Sequence, residues 1–396
     1  MSKYNLLGVN LRKVGILRGP NLNPYEGQYF EKLSKYGFEP IGITTRDKAK
    51  NLPEISFEIR SGHNLRSLTK GKLKPLFSLV GRATKYNFES WNLRVIGLKK
   101  LTEDLDIIHS ADSWYPFTYQ AVKTGKPTIA TQWENLPFNV HGNPYMKIQE
   151  YNRKHVTHFV AITEKAKEAL LTEGVKPEKI TVIPAGVDCD RFKPTPKEST
   201  NKFGITGDST KILFVGRLTP EKGILDLLTA FASLTKNRQN VELLIAGTGT
   251  QEKQTQIEKL ISSLKIQNKI KLLGNIPYTD MPILHNLADI FCLPSIEVNF
   301  WAEQFGFSIV EAMACGKPVV STATGSIPEI VKNRKTGILV EQKNPAMLQS
   351  ALEELLIDPK ERELFGINAR NWVLEAFESN KIAKQLATLY EQFIRV

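Results

Sequence analysis

Short apolar and β-branched runs alternate along the whole chain with longer segments whose apolar positions recur every three to four residues. This alternation predicts parallel strands joined by crossover helices, since a strand covered by helices on both sides carries apolar side chains on both faces. In the first half the runs predict strands at 14–17, 40–44, 55–59, 106–109, 127–131, 158–162 and 180–183. The second half repeats the plan at 211–215, 241–246, 270–273, 290–293, 318–321 and 337–340. Two doubly wound α/β domains follow, read as 1–190 and 191–379, and a chain of 396 residues suits two such cores. Between them, 192–210 is rich in Pro, Thr, Ser and Lys and reads as the connection and hinge. In the last segment, 380–396, Ile382, Leu386, Leu389, Tyr390 and Phe393 share one helical face, and that helix is expected to pack back on the first domain.

Composition narrows the class. Apolar residues at 41% and charged residues at 24% are ordinary for a globular protein. No run reaches the roughly 18 apolar residues that span a bilayer, and the opening MSKYNLLGVNLRKVG lacks the apolar core of a signal peptide, so a cytoplasmic location is expected. Cys189, Cys292 and Cys315 stand far apart, and the six histidines form no chelating pair, so neither a disulfide framework, a protein-held metal nor another cofactor is expected. The net charge of +12 is uneven: residues 1–190 hold 28 basic side chains against 19 acidic ones. Between Arg60 and Lys100, ten basic residues meet one acid, Glu89. Within residues 63–100, Arg66, Lys70 and Lys74 repeat at intervals of four beside Leu65, Leu68, Leu73, Leu76, Phe77 and Val80. Such a segment suits an anionic membrane surface, or equally a solvated basic helix packed on its own domain. It lacks the interleaved aromatics of a nucleic-acid binder, and no nucleic-acid partner is expected.

Two segments carry candidate chemistry. Gly216-Arg217-Leu218-Thr219-Pro220-Glu221-Lys222-Gly223 follows the strand KILFV and precedes an apolar-periodic helix. At the carboxyl end of a parallel strand, Arg217 can fork onto phosphate oxygens, Lys222 supplies a point charge, and Gly223 permits close approach. Equally, this could be a surface turn with Lys222 solvated and Arg217 paired to a nearby acid. The second segment runs from Trp301 to Pro318 and includes Glu303, Phe305, Gly306, Phe307, Ser308 and Glu311. Ser308 with Glu311 three residues on reads as a capping box, which would give Glu311 a purely structural duty. Glu303, eight residues earlier, sits in the loop after ADIFCLPS.

Together with IPAGVDCDRF at 183–192 and STATGSIPEIV at 321–331, these segments resemble the retaining GT-B glycosyltransferases of family 4, also called group 1. Glu303 and Glu311 match that family's E-x7-E motif. The resemblance implies the GT-B fold, two doubly wound Rossmann-like domains facing across a cleft, and a nucleotide-diphosphate sugar as donor. It implies that Glu311 accepts from the ribose hydroxyls, Glu303 binds hydroxyls of the transferred sugar, and backbone at Phe305, Gly306, Phe307 and Ser308 meets sugar and distal phosphate. Arg217 and Lys222 would neutralise the leaving diphosphate without a metal. Gly216, Gly247, Gly249 and Ile276 would line the nucleotide pocket. His109, ending the strand DIIH, would contact the donor sugar, although a lone strand-end histidine is more often structural. The chain departs from the family pattern at Ala111, where a second histidine is usual, at Arg18-Gly19-Pro20-Asn21, where paired glycines are usual, and at Ser326, the second glycine of GGxPE.

Gly19 and Glu134 are the acceptor-side candidates, Glu134 also reading as an ordinary loop acid. The acceptor classes implied are a glycan, a lipid-linked sugar or a small molecule. A front-face transfer is expected, the departing diphosphate oxygen taking the acceptor's proton. A GT-B phosphorylase or epimerase, or a silent scaffold subunit of the same fold, would share much of this pattern.

Overall fold

The structure is a computed structural model that describes residues 11–45, 52, 54–64, 93–139, 145–196, 202–205 and 207–394. The chain divides into two compact units, residues 1–186 with 379–396, and residues 187–378. Most of the basic segment, including Arg66, Lys70 and Lys74, lies outside the described residues.

The first unit is built on a seven-stranded sheet: β1 (Arg12–Gly19), β2 (Phe38–Thr45), β3 (Glu58–Gly62), β4 (Ile107–Ala111), β5 (Thr128–Gln132), β6 (His158–Ala161) and β7 (Ile180–Val182). Every pairing is parallel, in the order β3-β2-β1-β4-β5-β6-β7. Leu17, Ile41, Ile43 and Ile108 from the sheet pack against Leu98, Phe117 and Ala121 from the covering helices. The helix Ser379–Glu391 belongs here, with Ile382, Ala383, Leu386, Leu389 and Tyr390 buried against the first unit. The third strand runs Glu58–Gly62 and not 55–59. Ile55 is instead buried in a turn, its side chain against Gly27, and the edge strand pairs through the polar residues Arg60 and Ser61. Hydrophobicity marked the anchor next to the strand.

The second unit has six parallel strands: β8 (Thr210–Val215), β9 (Val241–Ala246), β10 (Ile270–Gly274), β11 (Ile290–Leu293), β12 (Val319–Thr322) and β13 (Gly337–Val340), in the order β10-β9-β8-β11-β12-β13. Leu213, Phe214, Leu243, Phe291 and Val319 are fully buried, as expected of strands covered on both faces. The stretch read as a connection begins inside this unit: Phe192 is fully buried, and the Arg370 guanidinium donates to the carbonyls of Cys189, Phe192 and Ala314. The polar composition of 192–210 hid this anchor, which one aromatic side chain and one arginine supply. Among the described residues no helix is long and apolar enough to cross a membrane.

Candidate functional site

In an open parallel sheet, ligands bind beyond the carboxyl ends of the strands where the chain order reverses. In the second unit this point lies between β8 and β11, and the loops leaving those strands are the two singled out by the sequence. The β8 loop is held on both sides. Leu218 N–H donates to Thr248 O (2.9 Å), and a Cβ on Gly247 would lie 1.8 Å from Gly216 O. Across the switch, Ile296 N–H donates to Glu221 O (2.9 Å), and a Cβ on Gly223 would lie 1.8 Å from Pro294 O. Gly223 also has φ of +70°, so it alone lets the single 3-10 turn Pro220–Lys222 pass into the helix Ile224–Asn237 at this distance from β11. A Cβ on Gly249 would lie 2.7 Å from Leu218 O, a looser approach.

This packing brings Lys222 to Glu303. The ammonium lies 2.6 Å from Glu303 Oε2, which also accepts from the Ser295 hydroxyl at 2.7 Å. Both charges are largely removed from water, with side-chain exposures of 13% and 7%, so Lys222 is not the solvated cation of a plain surface turn. Arg217 does fit such a turn in part: its side chain is 62% exposed, and its Nη2 lies 3.3 Å from Glu221 Oε1. Such an exposed pair stabilises the loop little. Arg217 therefore stands at the mouth of the same loop, while Lys222 stands inside it.

Glu311 lies on the helix Phe307–Ala314, whose first turn is bonded to the end of β8 through Ser308 Oγ and Val215 O (3.1 Å). The expected capping box does not form. Gly306, with φ of +79°, occupies the N-cap position, no side chain caps the helix, and Ser308 is already inside it. Glu311 is buried, accepts from the Tyr278 hydroxyl at 2.7 Å through Oε1, and has its Oε2 3.6 Å from the buried His285 ring. Tyr278 follows Ile276, half-buried in the loop after β10, so that loop and Glu311 share one neighbourhood. Phe305 turns its ring into the core beside Phe307 and Phe377. Tyr278, His285 and Ser295 escaped the sequence reading. Ser295, directly past β11, offered a positional signal, whereas the other two are recognisable only through contact with Glu311.

The first unit has its own switch point between β1 and β4. Gly19 there has φ of +51° and lies against the Phe117 ring, where a Cβ would come within 2.9 Å. Arg18, standing in the altered glycine loop, is buried and fully engaged. It donates to Glu26 Oε2 (2.6 Å), to the Leu17 and His109 carbonyls and to Thr131 Oγ1. His109 departs from the role expected of it. It is buried, with Nδ1 hydrogen-bonded to the Tyr390 hydroxyl (2.5 Å) and Nε2 to Thr131 Oγ1 (2.6 Å), which leaves neither ring nitrogen for a sugar. Burial, with the Arg18 charge adding to it, holds its pKa well below the usual histidine value.

The group at the carboxyl end of β4 is instead Asp112, unnoticed in the sequence. Its Oδ1 accepts from the Trp133 and Glu134 amides (2.8 and 3.3 Å). Burial, reinforced by Glu134, pushes its carboxyl up to about 8. Glu134 is half-buried and accepts from Asn139 Nδ2 at 2.7 Å.

Residues 196–372 match the family described as Glycosyl transferases group 1, and residues 31–191 match Glycosyltransferase Family 4, so the two cover most of the chain between them. An uncharacterized glycosyltransferase of Methanocaldococcus jannaschii is 32% identical over 59% of this chain and 59% of its own length. The GDP-mannose-dependent alpha-(1-6)-phosphatidylinositol monomannoside mannosyltransferase of Mycolicibacterium smegmatis is 31% identical over 52% of this chain and 55% of that protein. The chain thus aligns with little more than half the length of these relatives. A solved glycosyltransferase from Rickettsia africae superposes with a TM-score of 0.75 at 25% identity, covering 97% of this chain and 99% of that one. The fold is that of the GT-B glycosyltransferases. The chain belongs to the group 1 glycosyltransferases of family 4.

Proposed function

We propose that the chain is a retaining, metal-independent glycosyltransferase that uses a nucleoside-diphosphate sugar as donor. The observation that carries this reading is the buried Lys222–Glu303 pair at the β8/β11 switch point, flanked by Arg217 and Glu311. A cation and a hydroxyl-binding carboxylate in contact suit a ligand that carries phosphate and sugar side by side. In this reading Glu311 takes the ribose hydroxyls, Glu303 the sugar hydroxyls, and Lys222 with Arg217 the diphosphate. The bond from the anomeric carbon to the phosphate oxygen breaks as that carbon bonds to the acceptor oxygen. The acceptor's proton passes to the departing phosphate oxygen, whose charge the two cations stabilise. His109 acts through the scaffold, holding the end of β4 that presents Asp112.

The Mycolicibacterium relative is named for a phosphatidylinositol monomannoside, which supports a lipid-linked or glycan acceptor here. A cytoplasmic enzyme, peripheral at the inner membrane face, is the location proposed with it. The test is to screen UDP-, GDP- and ADP-sugars for thermal stabilisation and slow hydrolysis, then repeat with Lys222→Ala and Glu311→Ala. Both responses should fall sharply, though not to nothing, in both variants. Their undiminished survival in both would refute the site, and nucleotide-dependent stabilisation without transfer to any acceptor would favour the scaffold.

A further inference from the structure

Trp301 has no part in the E-x7-E pairing, yet its indole face lies 4.8 Å from the Lys222 ammonium. We infer that Trp301 is the positioning residue that fixes Lys222 for the diphosphate, an inference that rests on the donor-site reading above. The ammonium is confined from two sides, by Glu303 Oε2 at 2.6 Å and by the indole face. An ammonium has three N–H donors. With one directed to the carboxylate and one side closed by the ring, the open direction left to a phosphate oxygen is restricted.

The ring is itself held in place. Val298 and Trp301 exchange backbone hydrogen bonds (3.0 and 2.8 Å) across a tight turn in which Asn299 takes φ of +39°. Before the turn, Ile296 N–H bonds to Glu221 O and Glu297 N–H to Gln342 Oε1 (2.6 Å). After it, Ala302 is buried, Ser326 N–H bonds to Glu303 O (2.8 Å), and Gly325 lies so close to the Glu303 backbone that a Cβ would come within 2.3 Å of the carbonyl oxygen. Phe300, at the tip, is 62% exposed, so the turn directs one aromatic outward and the other to the lysine. A flexible lysine stem carries a large rotamer entropy, and holding it before the donor arrives removes that cost from the transfer step.

The experiment is a double-mutant cycle. Trp301→Leu and Trp301→Gln delete the π face, one keeping apolar bulk and the other not, while Trp301→Phe keeps a π face. Each is made in the wild-type and Lys222→Ala backgrounds. Donor KM, kcat and the affinities of UDP, GDP, ADP and their monophosphates are measured, with unfolding midpoints alongside. Trp301→Leu and Trp301→Gln should lower kcat about tenfold and weaken the diphosphate but not the monophosphate, and Trp301→Phe should recover most of the loss. In the Lys222→Ala background none of the three should matter further. Equal losses in all three variants, or losses that persist without Lys222, would overturn the inference. Lys222→Ala with unchanged diphosphate affinity would instead refute the donor-site reading itself, whatever Trp301 does.

Discussion

Replacing Gly223 by alanine should damage the second unit by an amount the geometry sets. Two costs are distinct. The backbone at φ of +70° is left-handed, which costs an L-residue with a Cβ about 1–2 kcal/mol. The new Cβ would lie 1.8 Å from Pro294 O and 2.7 Å from its carbonyl carbon, so one loop must retreat by roughly 1.5 Å, an overpacking cost of about 1–3 kcal/mol. The sum is about 2–5 kcal/mol, or roughly 5–15 °C in the unfolding midpoint of a unit this size. Gly274→Ala is the control: its φ is +67° but nothing lies within 4 Å of its Cβ, so it should show the backbone cost alone. Differential scanning calorimetry of both variants, with nucleoside-diphosphate titration, separates the costs. If the loop yields in preference to the core, Gly223→Ala keeps more stability but loses nucleotide affinity, because Lys222 moves away from Glu303. Equal midpoints for the two alanine variants together with wild-type nucleotide affinity would refute the argument that this glycine locks the β8 and β11 loops.

Further outcomes follow from the same contacts. Lys222→Met removes the cation 2.6 Å from the buried Glu303 carboxylate and keeps its hydrogen bond from Ser295. It should destabilise the second unit by about 1–3 kcal/mol, less than a fully desolvated pair would, and Lys222→Met/Glu303→Gln should restore most of that loss in denaturant unfolding. Tyr390→Phe strips His109 Nδ1 of its partner in a buried site and should cost the first unit about 1–3 kcal/mol while leaving nucleotide binding unchanged. The Asp112 carboxyl, raised to about 8 in the fold from near 3.8, holds a proton that the unfolded chain has already released across that window. Its contribution to stability is therefore complete below pH 3.8 and is lost as pH rises through about 8. Asp112→Asn should flatten that decline when first-unit unfolding is followed against pH, and an unaltered slope would contradict it.

The strands of both sheets were legible because nearly all carry a short apolar or β-branched run, a pattern that survives without knowledge of neighbours. The exception, β3, lies at the edge and pairs through Arg60 and Ser61, so the apolar signal settled on Ile55 nearby. The motif loops were legible too, since Lys222, Gly223 and Glu303 follow strands in a fixed order. What they touch was not. The capping box failed because Ser308 and Glu311 have the right spacing whether or not Gly306 takes the N-cap, and Gly306 does. The surroundings of His109 were not legible because its partner, Tyr390, lies 281 residues away in sequence. Arg18 looked like a defect in a glycine loop, yet it is a buried hub whose acceptors come from three strands and a helix. Tyr278 and His285 show no pattern at all until the fold sets them against Glu311.

The helix Ser379–Glu391 completes the first unit, covering the segment Pro24–Tyr36 and setting Tyr390 against Phe38 and His109, yet it follows the whole second unit in the chain. On the ribosome, the second unit can therefore finish folding while the first still presents an uncovered apolar seam. That seam closes only once Ser379–Glu391 has emerged and docked. A premature stop codon before residue 379 would then yield a sound second unit tethered to a first unit that never closes.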